Sequence, residues 1–163
     1  MQLKQPTKTA SQFPQRWMRH LLEKSPALVY LTDDQGVFLD INSPGAAMLG
    51  GESREDFIGK ASIDSFFASA KDCKRLRKLL AEQGFVQDYE TRFRRMDKTA
   101  FDVRITQFAR RDAGNAIVGC EGFVLDITDR KLAELALNQS EEKYRTVVES
   151  SLSAILVHQD GRV

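Results

Sequence analysis

The chain is poor in the residues that build metal sites and covalent frameworks. Its 163 residues include two cysteines, Cys73 and Cys120, and two histidines, His20 and His158. Neither type clusters at ligand spacing, so a structural zinc site or a disulfide framework is not expected. Charge of one sign is also missing: 24 Lys and Arg stand against 23 Asp and Glu, a net charge of +1. Bulk charge therefore gives no support to a role on nucleic acid or a membrane surface. No apolar run reaches the roughly 18 residues that a membrane helix needs. The opening residues, MQLKQPTKTASQFPQR, lack the apolar stretch of a secretory signal. These absences point to a cytoplasmic chain. What is present, 42% hydrophobic and 29% charged residues, is the balance of a globular protein. The length suits one domain, or one domain and a fragment.

Residues 1–14 are polar and without apolar period, and are expected to be a flexible tail. From Gln15 the pattern changes. Trp17, Met18, Leu21 and Leu22 recur at helical spacing up to Pro26. Two β-like runs follow, residues 27–31 and 37–41, joined by the turn Asp33-Asp34-Gln35-Gly36. They read as a hairpin. Asn42-Ser43-Pro44 supplies a cap followed by proline, a helix start. Ser53 with Asp56 has capping-box spacing. Residues 71–83 carry Leu76, Leu79 and Leu80 on one side and Lys71, Lys74, Arg75, Arg77 and Lys78 toward water, with Gly84 as the stop. Three strands come next, over 85–95, from Phe101 and over 116–125, separated by the turns Met96-Asp97-Lys98 and Asp112-Ala113-Gly114-Asn115. The order of two strands, several short helices and three strands predicts an α+β domain over 15–128. Its core would be one five-stranded antiparallel sheet with helices on one face.

Residues 129–150 contain no Gly or Pro and are rich in Glu, Lys, Leu and Ala, which predicts one continuous helix. Leu137, Glu141, Tyr144, Val148 and Ser151 form a heptad-like seam interrupted by Glu141. Two readings stand: a helix packed on its own sheet, and a coiled coil between two chains. There is also an internal echo. Residues 19–25 (RHLLEKS) parallel 145–151 (RTVVESS), and 28–31 (LVYL) parallel 154–157 (AILV). Gln35-Gly36 parallels Asp160-Gly161. Residues 151–163 are thus expected to be the truncated start of a second copy, cut from a tandem array.

The motifs Ser25-Pro26, Asp33 to Gly36, Asn42-Ser43-Pro44 with Met48-Leu49-Gly50, and Gly119-Cys120-Glu121-Gly122 ahead of Asp126-Ile127-Thr128-Asp129-Arg130-Lys131 carry a resemblance. From about Trp17 to Lys131 the chain resembles the PAS domain family. The most specific element is the Asp-Ile-Thr run, which resembles the signature closing PAS domains ahead of a signalling helix. The resemblance implies a sensory or relay module of a bacterial histidine kinase or a cyclic-di-GMP enzyme, with the output domain elsewhere in the same chain. Elementary chemistry gives the run a physical role. Thr128 stands where strand becomes helix and can cap an orphan amide. Asp126 and Asp129 bring negative charge to the positive end of the helix. A shift of the strand would then set the entry angle of the helix, with Asp126, Ile127 and Thr128 as the transmission residues.

A sheet under short helices leaves room for a small molecule. The inward candidates are Val29, Leu31, Phe38, Phe57, Phe66, Phe67, Tyr89, Phe93, Phe101, Val103 and Ile105. Glu121 is the odd polar residue of the last strand, either water-facing or a polar anchor. The alternative is that these side chains simply fill the core. Cofactors can be tested against the family resemblance. A haem PAS domain needs an axial ligand, commonly His, and the helix over 71–83 has none. A light-oxygen-voltage domain carries its reactive Cys in an Asn-Cys-Arg-Phe-Leu run. Here Cys73 stands in Lys71-Asp72-Cys73-Lys74-Arg75. Haem and covalent flavin are therefore disfavoured, and the cofactor stays unknown. No nucleophile-base spacing or phosphate loop is visible, so no catalysis is expected within these residues. Two functions of different class remain: a ligand-sensing module, and a ligand-free relay. Both would dimerise through the flanking helices.

Overall fold

The computed structural model describes residues 13–159, with side chains described over 16–149. The sequence-based tail falls mostly outside these residues, as do the Asp160-Gly161 turn and Val163. The chain divides into two units, one through Asp126 and one from Ile127 onward.

In the first unit, helix α1 (Phe13–Lys24) precedes strands β1 (Leu28–Asp33) and β2 (Phe38–Ile41). Helix α2 (Ser43–Met48), two short 3-10 turns (Arg54–Asp56 and Ile63–Phe66) and helix α3 (Ala70–Gln83) follow. Strands β3 (Phe85–Arg94), β4 (Ala100–Arg111) and β5 (Ile117–Asp126) complete the unit. All neighbours pair antiparallel in the order β2-β1-β5-β4-β3, an α+β architecture. Local chemistry explains the breaks. Asn42 caps α2 by accepting from the Gly45 amide at 3.1 Å. Ser53 and Asp56 form the capping box expected from their spacing. Gly84 ends α3 in the left-handed conformation at φ 80°.

The core lies between the sheet and the helical segment. Phe38 is fully buried, with Tyr30, Phe57 and Phe66 around it at 6.1, 5.9 and 6.3 Å between ring centroids. Phe93 meets Phe67 at 4.8 Å and Phe101 at 6.1 Å, both edge to face. Such pairs add roughly 0.5–1.5 kcal/mol each to the burial of their area.

The expectation about the inward face of β1 needs correction. Val29 and Leu31 do not point into this core. Strand β1 buries Leu28, Tyr30 and Thr32, and period two sends Val29 and Leu31 to the other side of the sheet. The run 27–31 is apolar throughout, so alternation could not choose the face. On β3, Phe85 is exposed and Val86 buried, the reverse of a straight alternation from Phe85. A bulge between Val86 and Tyr89 inverts the face. There Asp88 adopts a positive φ of 52°, and its amide donates to Thr106 Oγ1 at 3.1 Å.

The second unit contains helix α4 (Thr128–Gln159), whose first bond runs from the Lys131 amide to the Ile127 carbonyl at 3.0 Å. The helix does not stop at 150. It continues through 154–157, the stretch matched to strand β1. A lone strand has no partner for its backbone groups, whereas a helix satisfies them within the segment.

Candidate functional site

The residues expected to surround a ligand fall into two groups that share no cavity. Phe38, Phe57, Phe93, Val103 and Ile105 are buried against one another, with Phe67 and Tyr89 packed at the edge. Val29, Leu31 and Glu121 lie on the opposite face of the sheet. There they line a depression of about 460 Å³ with Phe108 and Phe123 of the sheet and Met18 and Leu22 of α1. Glu121 is exposed, opposite Leu31 and Phe108, and is no anchor for the inner face.

The inner face has a smaller cavity of about 210 Å³, between α3 and the β1, β4 and β5 ends. Its floor is polar. Gln107 continues the inward register of Phe101, Val103 and Ile105, and is only 3% exposed. The Tyr30 hydroxyl donates to Gln107 Oε1 at 2.6 Å. The Cys120 thiol lies 3.9 Å from the same oxygen and 3.1 Å from Thr32 Oγ1. Gly122 stands between Tyr30 and Gln107 in the register, because a Cβ there would meet Thr106 O at 2.4 Å. The walls come from Ile63, Leu76, Leu80 and Ile117. At the rim, Arg77 of α3 forms an ion pair with Asp64 and donates to the Gln35 carbonyl at 2.9 Å. Arg77, expected to face water, thus ties α3 to two loops. Gly36, at φ 80°, leaves it room.

Burial dominates the titration of this region. It holds the Tyr30 phenol well above its ordinary value, with Cys120 adding to the effect. Burial pushes the Cys73 thiol up to about 11, assisted by Asp64. Burial also raises Cys120, although its bonds with Thr32 and Tyr30 oppose the shift. Both thiols are protonated at neutral pH and so are weak nucleophiles. Among the described residues no group of three or more His, Cys, Asp or Glu side chains could hold a metal ion.

At the far end of β5, Asp126 pairs with Val103 and forms an ion pair with Arg95 at 3.1 Å. The same arginine donates from Nε to the Met48 carbonyl at 3.0 Å, and its guanidinium carbon sits 4.0 Å from the centroid of the Phe101 ring. Asp126 is therefore held by a side chain that sequence reasoning did not single out. Arg95 follows the last alternating residues of β3, where a charge gives no periodic signal. One residue later the backbone leaves the strand, and at Thr128 it is helical.

A family model described as the PAS fold matches residues 17–127. The chain belongs to the PAS family. Curated relatives include a sensor protein and a kinase. The C4-dicarboxylate transport sensor protein DctS of Rhodobacter capsulatus is 32% identical over 134 residues, covering 78% of this chain and 20% of that protein. Sporulation kinase A of Bacillus subtilis (strain 168) is 25% identical over 133 residues, covering 78% and 21%. The chain thus spans about a fifth of the length of these relatives. Among solved structures, the PAS domain of a Colwellia psychrerythraea protein superposes with a TM-score of 0.61 at 19% identity, over 71% of this chain and 98% of that one. A sensory box histidine kinase/response regulator from Burkholderia thailandensis E264 gives 0.60 at 17%, over 79% and 98%. The structural likenesses show the PAS fold. No described helix is long and apolar enough to cross a membrane.

Proposed function

We propose that this PAS chain is the sensory and relay segment of a larger bacterial signalling protein. A histidine kinase is the first choice of output, with a cyclic-di-GMP enzyme as the other form. The catalytic step belongs to residues outside this segment. One observation carries the reading: a single residue, Ile127, separates the end of β5 from the start of α4. With so short a link, displacement of the strand is transmitted to the first turn of the helix rather than absorbed by a loop. Arg95 grips Asp126 from the β3 end, so a change in the core reaches that link through β3, β4 and β5.

The proposal includes a homodimer through the flanking helices. Trp17, Met18 and Leu21 of α1 and Leu132, Leu135, Leu137, Tyr144, Val147 and Val148 of α4 are all exposed, an apolar load that supports a partner helix. In the heptad-like seam, Ser151 lies outside the described side chains. The second reading, a ligand-free relay, is favoured by the mutual packing of the aromatic residues once expected to line a pocket. Both readings share the transmission step.

That step is tested by Thr128→Val in the intact parent. Removing the hydroxyl while keeping the branched shape should lower stimulus-dependent output at least fivefold. The melting temperature of the 163-residue chain should move by no more than about 4 °C, as befits the loss of one hydroxyl group. Unchanged output at an unchanged melting temperature counts against the relay.

A further inference from the structure

The net charge of +1 hides an uneven spread along the chain. Residues 1–22 contain no Asp or Glu. The first 24 residues hold five of the 24 Lys and Arg and one of the 23 Asp and Glu, a net +4, which leaves −3 on the other 139. The cations of this stretch that lie on α1, namely Arg16, Arg19 and Lys24, are exposed. Its one acid, Glu23, is turned toward the domain, where it accepts from the Ser43 amide at 3.0 Å and faces Arg54 at 3.8 Å.

The apolar side of α1 is divided as well. Met18 and Leu22 line the depression on the outer face of the sheet. The Leu22 carbonyl accepts from Asn42 Nδ2 at 2.7 Å, which fixes the rotation of the helix. Trp17 and Leu21 precede these two by one residue each and so stand about 100° away around the helix. They lie outside the lining of the depression and are 63% and 47% exposed. Trp17 and Leu21 thus form an apolar ridge, with the exposed Arg16, His20 and Lys24 along one flank.

That composition separates the possible partners. A second α1 laid on the ridge would set Arg16 and Lys24 against cations of their own kind. A nucleic acid would use the cations and leave Trp17 and Leu21 in water. An anionic bilayer uses both. The indole and the leucine enter the boundary between headgroups and acyl chains, while the basic side chains reach the lipid phosphates.

We propose that α1 docks in the plane of an anionic lipid bilayer through Trp17 and Leu21, with Arg16 and Lys24 on the headgroups. This narrows the dimer proposed above to α4 and gives α1 a different partner. Only residues 25–27 separate α1 from β1, and β1 pairs with β5 over its whole length. Docking therefore ties the sheet itself to the lipid surface.

Trp17 is the one tryptophan of the chain, so its fluorescence reports on this ridge alone. The 163-residue chain is titrated with vesicles of phosphatidylcholine, and with vesicles of equal parts phosphatidylcholine and phosphatidylglycerol. The mixed vesicles are expected to move the emission to the blue and to bind at least about tenfold more tightly than phosphatidylcholine alone. That advantage should vanish at about 1 M salt. Leu21→Glu should weaken binding to the mixed vesicles at least about tenfold, and so should Arg16→Gln combined with Lys24→Gln. All three positions are exposed, so the fold stands in both variants. The proposal is overturned if the mixed vesicles leave the emission unchanged, if phosphatidylcholine binds as tightly, or if neither variant weakens binding. A blue shift that grows with protein concentration in the absence of lipid would give the ridge to a second copy. A shift with duplex DNA and none with vesicles would give it to nucleic acid. Either result also overturns the proposal. The relay is read separately, by Thr128→Val, whatever the vesicles show.

Discussion

Phe38→Ala is expected to destabilise the PAS domain by about 3–5 kcal/mol, the range for removing a fully buried aromatic ring. Phe38 has no exposed surface and is the one ring that touches Tyr30, Phe57 and Phe66 together. Those partners come from β1 (Tyr30), from just after the first 3-10 turn (Phe57) and from the end of the second (Phe66), elements with separate backbone restraints. The void left by the ring cannot collapse from one side alone, so the cavity cost adds to the lost transfer energy. Urea titration followed by circular dichroism measures this, with an unchanged slope and a lower midpoint as the expected pattern. A loss below about 1.5 kcal/mol would mean that the aromatic cluster repacks, and the close-packed core described here would be wrong.

Asn42→Ala follows, at about 2–4 kcal/mol, although it deletes only a small polar group. The Asn42 side chain uses both ends. Oδ1 accepts from the Val29 and Gly45 amides at 2.9 and 3.1 Å. Nδ2 donates to the Leu22 and Ala27 carbonyls at 2.7 and 2.9 Å. Those four bonds join α1, the chain leading into β1, and α2. At 5% exposure, water cannot replace them. Asn42→Asp keeps the acceptors but turns a buried carboxylate oxygen on the Leu22 and Ala27 carbonyls, so at neutral pH it should cost at least as much as alanine in the same urea titration. An alanine variant within about 0.5 kcal/mol of wild type would show that this junction contributes no stability.

Asn42 also shows what the sequence could and could not say. Its place before Ser43-Pro44 announced a helix cap, and that much was local. Its bonds to residues 22, 27 and 29 depend on the chain returning to itself, which no short window contains. The strands and their antiparallel order were legible because β-branched and aromatic residues alternate between clear turn signals. The faces were less so. The uniformly apolar run 27–31 concealed that Val29 and Leu31 face outward, and the bulge at Asp88 inverted β3 without a Gly or Pro to mark it. The candidate site was obscured for a related reason. Apolar and aromatic residues read as lining from the sequence, whereas in the fold most of them fill the core. The cavity floor comes instead from polar residues in inward register, Thr32 and Gln107. Period two along 101, 103, 105 and 107 contains that signal, as one polar residue closing an apolar series. Arg77 and Arg95 lay within charged runs, where only the fold distinguishes a clamp from a solvated side chain. The strand-like match of 154–157 to β1 gave way to helix, since pairing rather than composition makes a strand.

The central claim is that the state of the sheet reaches the output through the phase of α4. An insertion series in the intact parent, placed between Asn138 and Gln139 of that helix, tests it most directly. One added residue rotates everything downstream by about 100°, whereas seven add nearly two full turns and return the original face. The account predicts that one residue locks the output high or low, with loss of the response to stimulus, and that seven restore a graded response. Output that is indifferent to insertion length, or that declines steadily from one to seven residues without recovery, would contradict it.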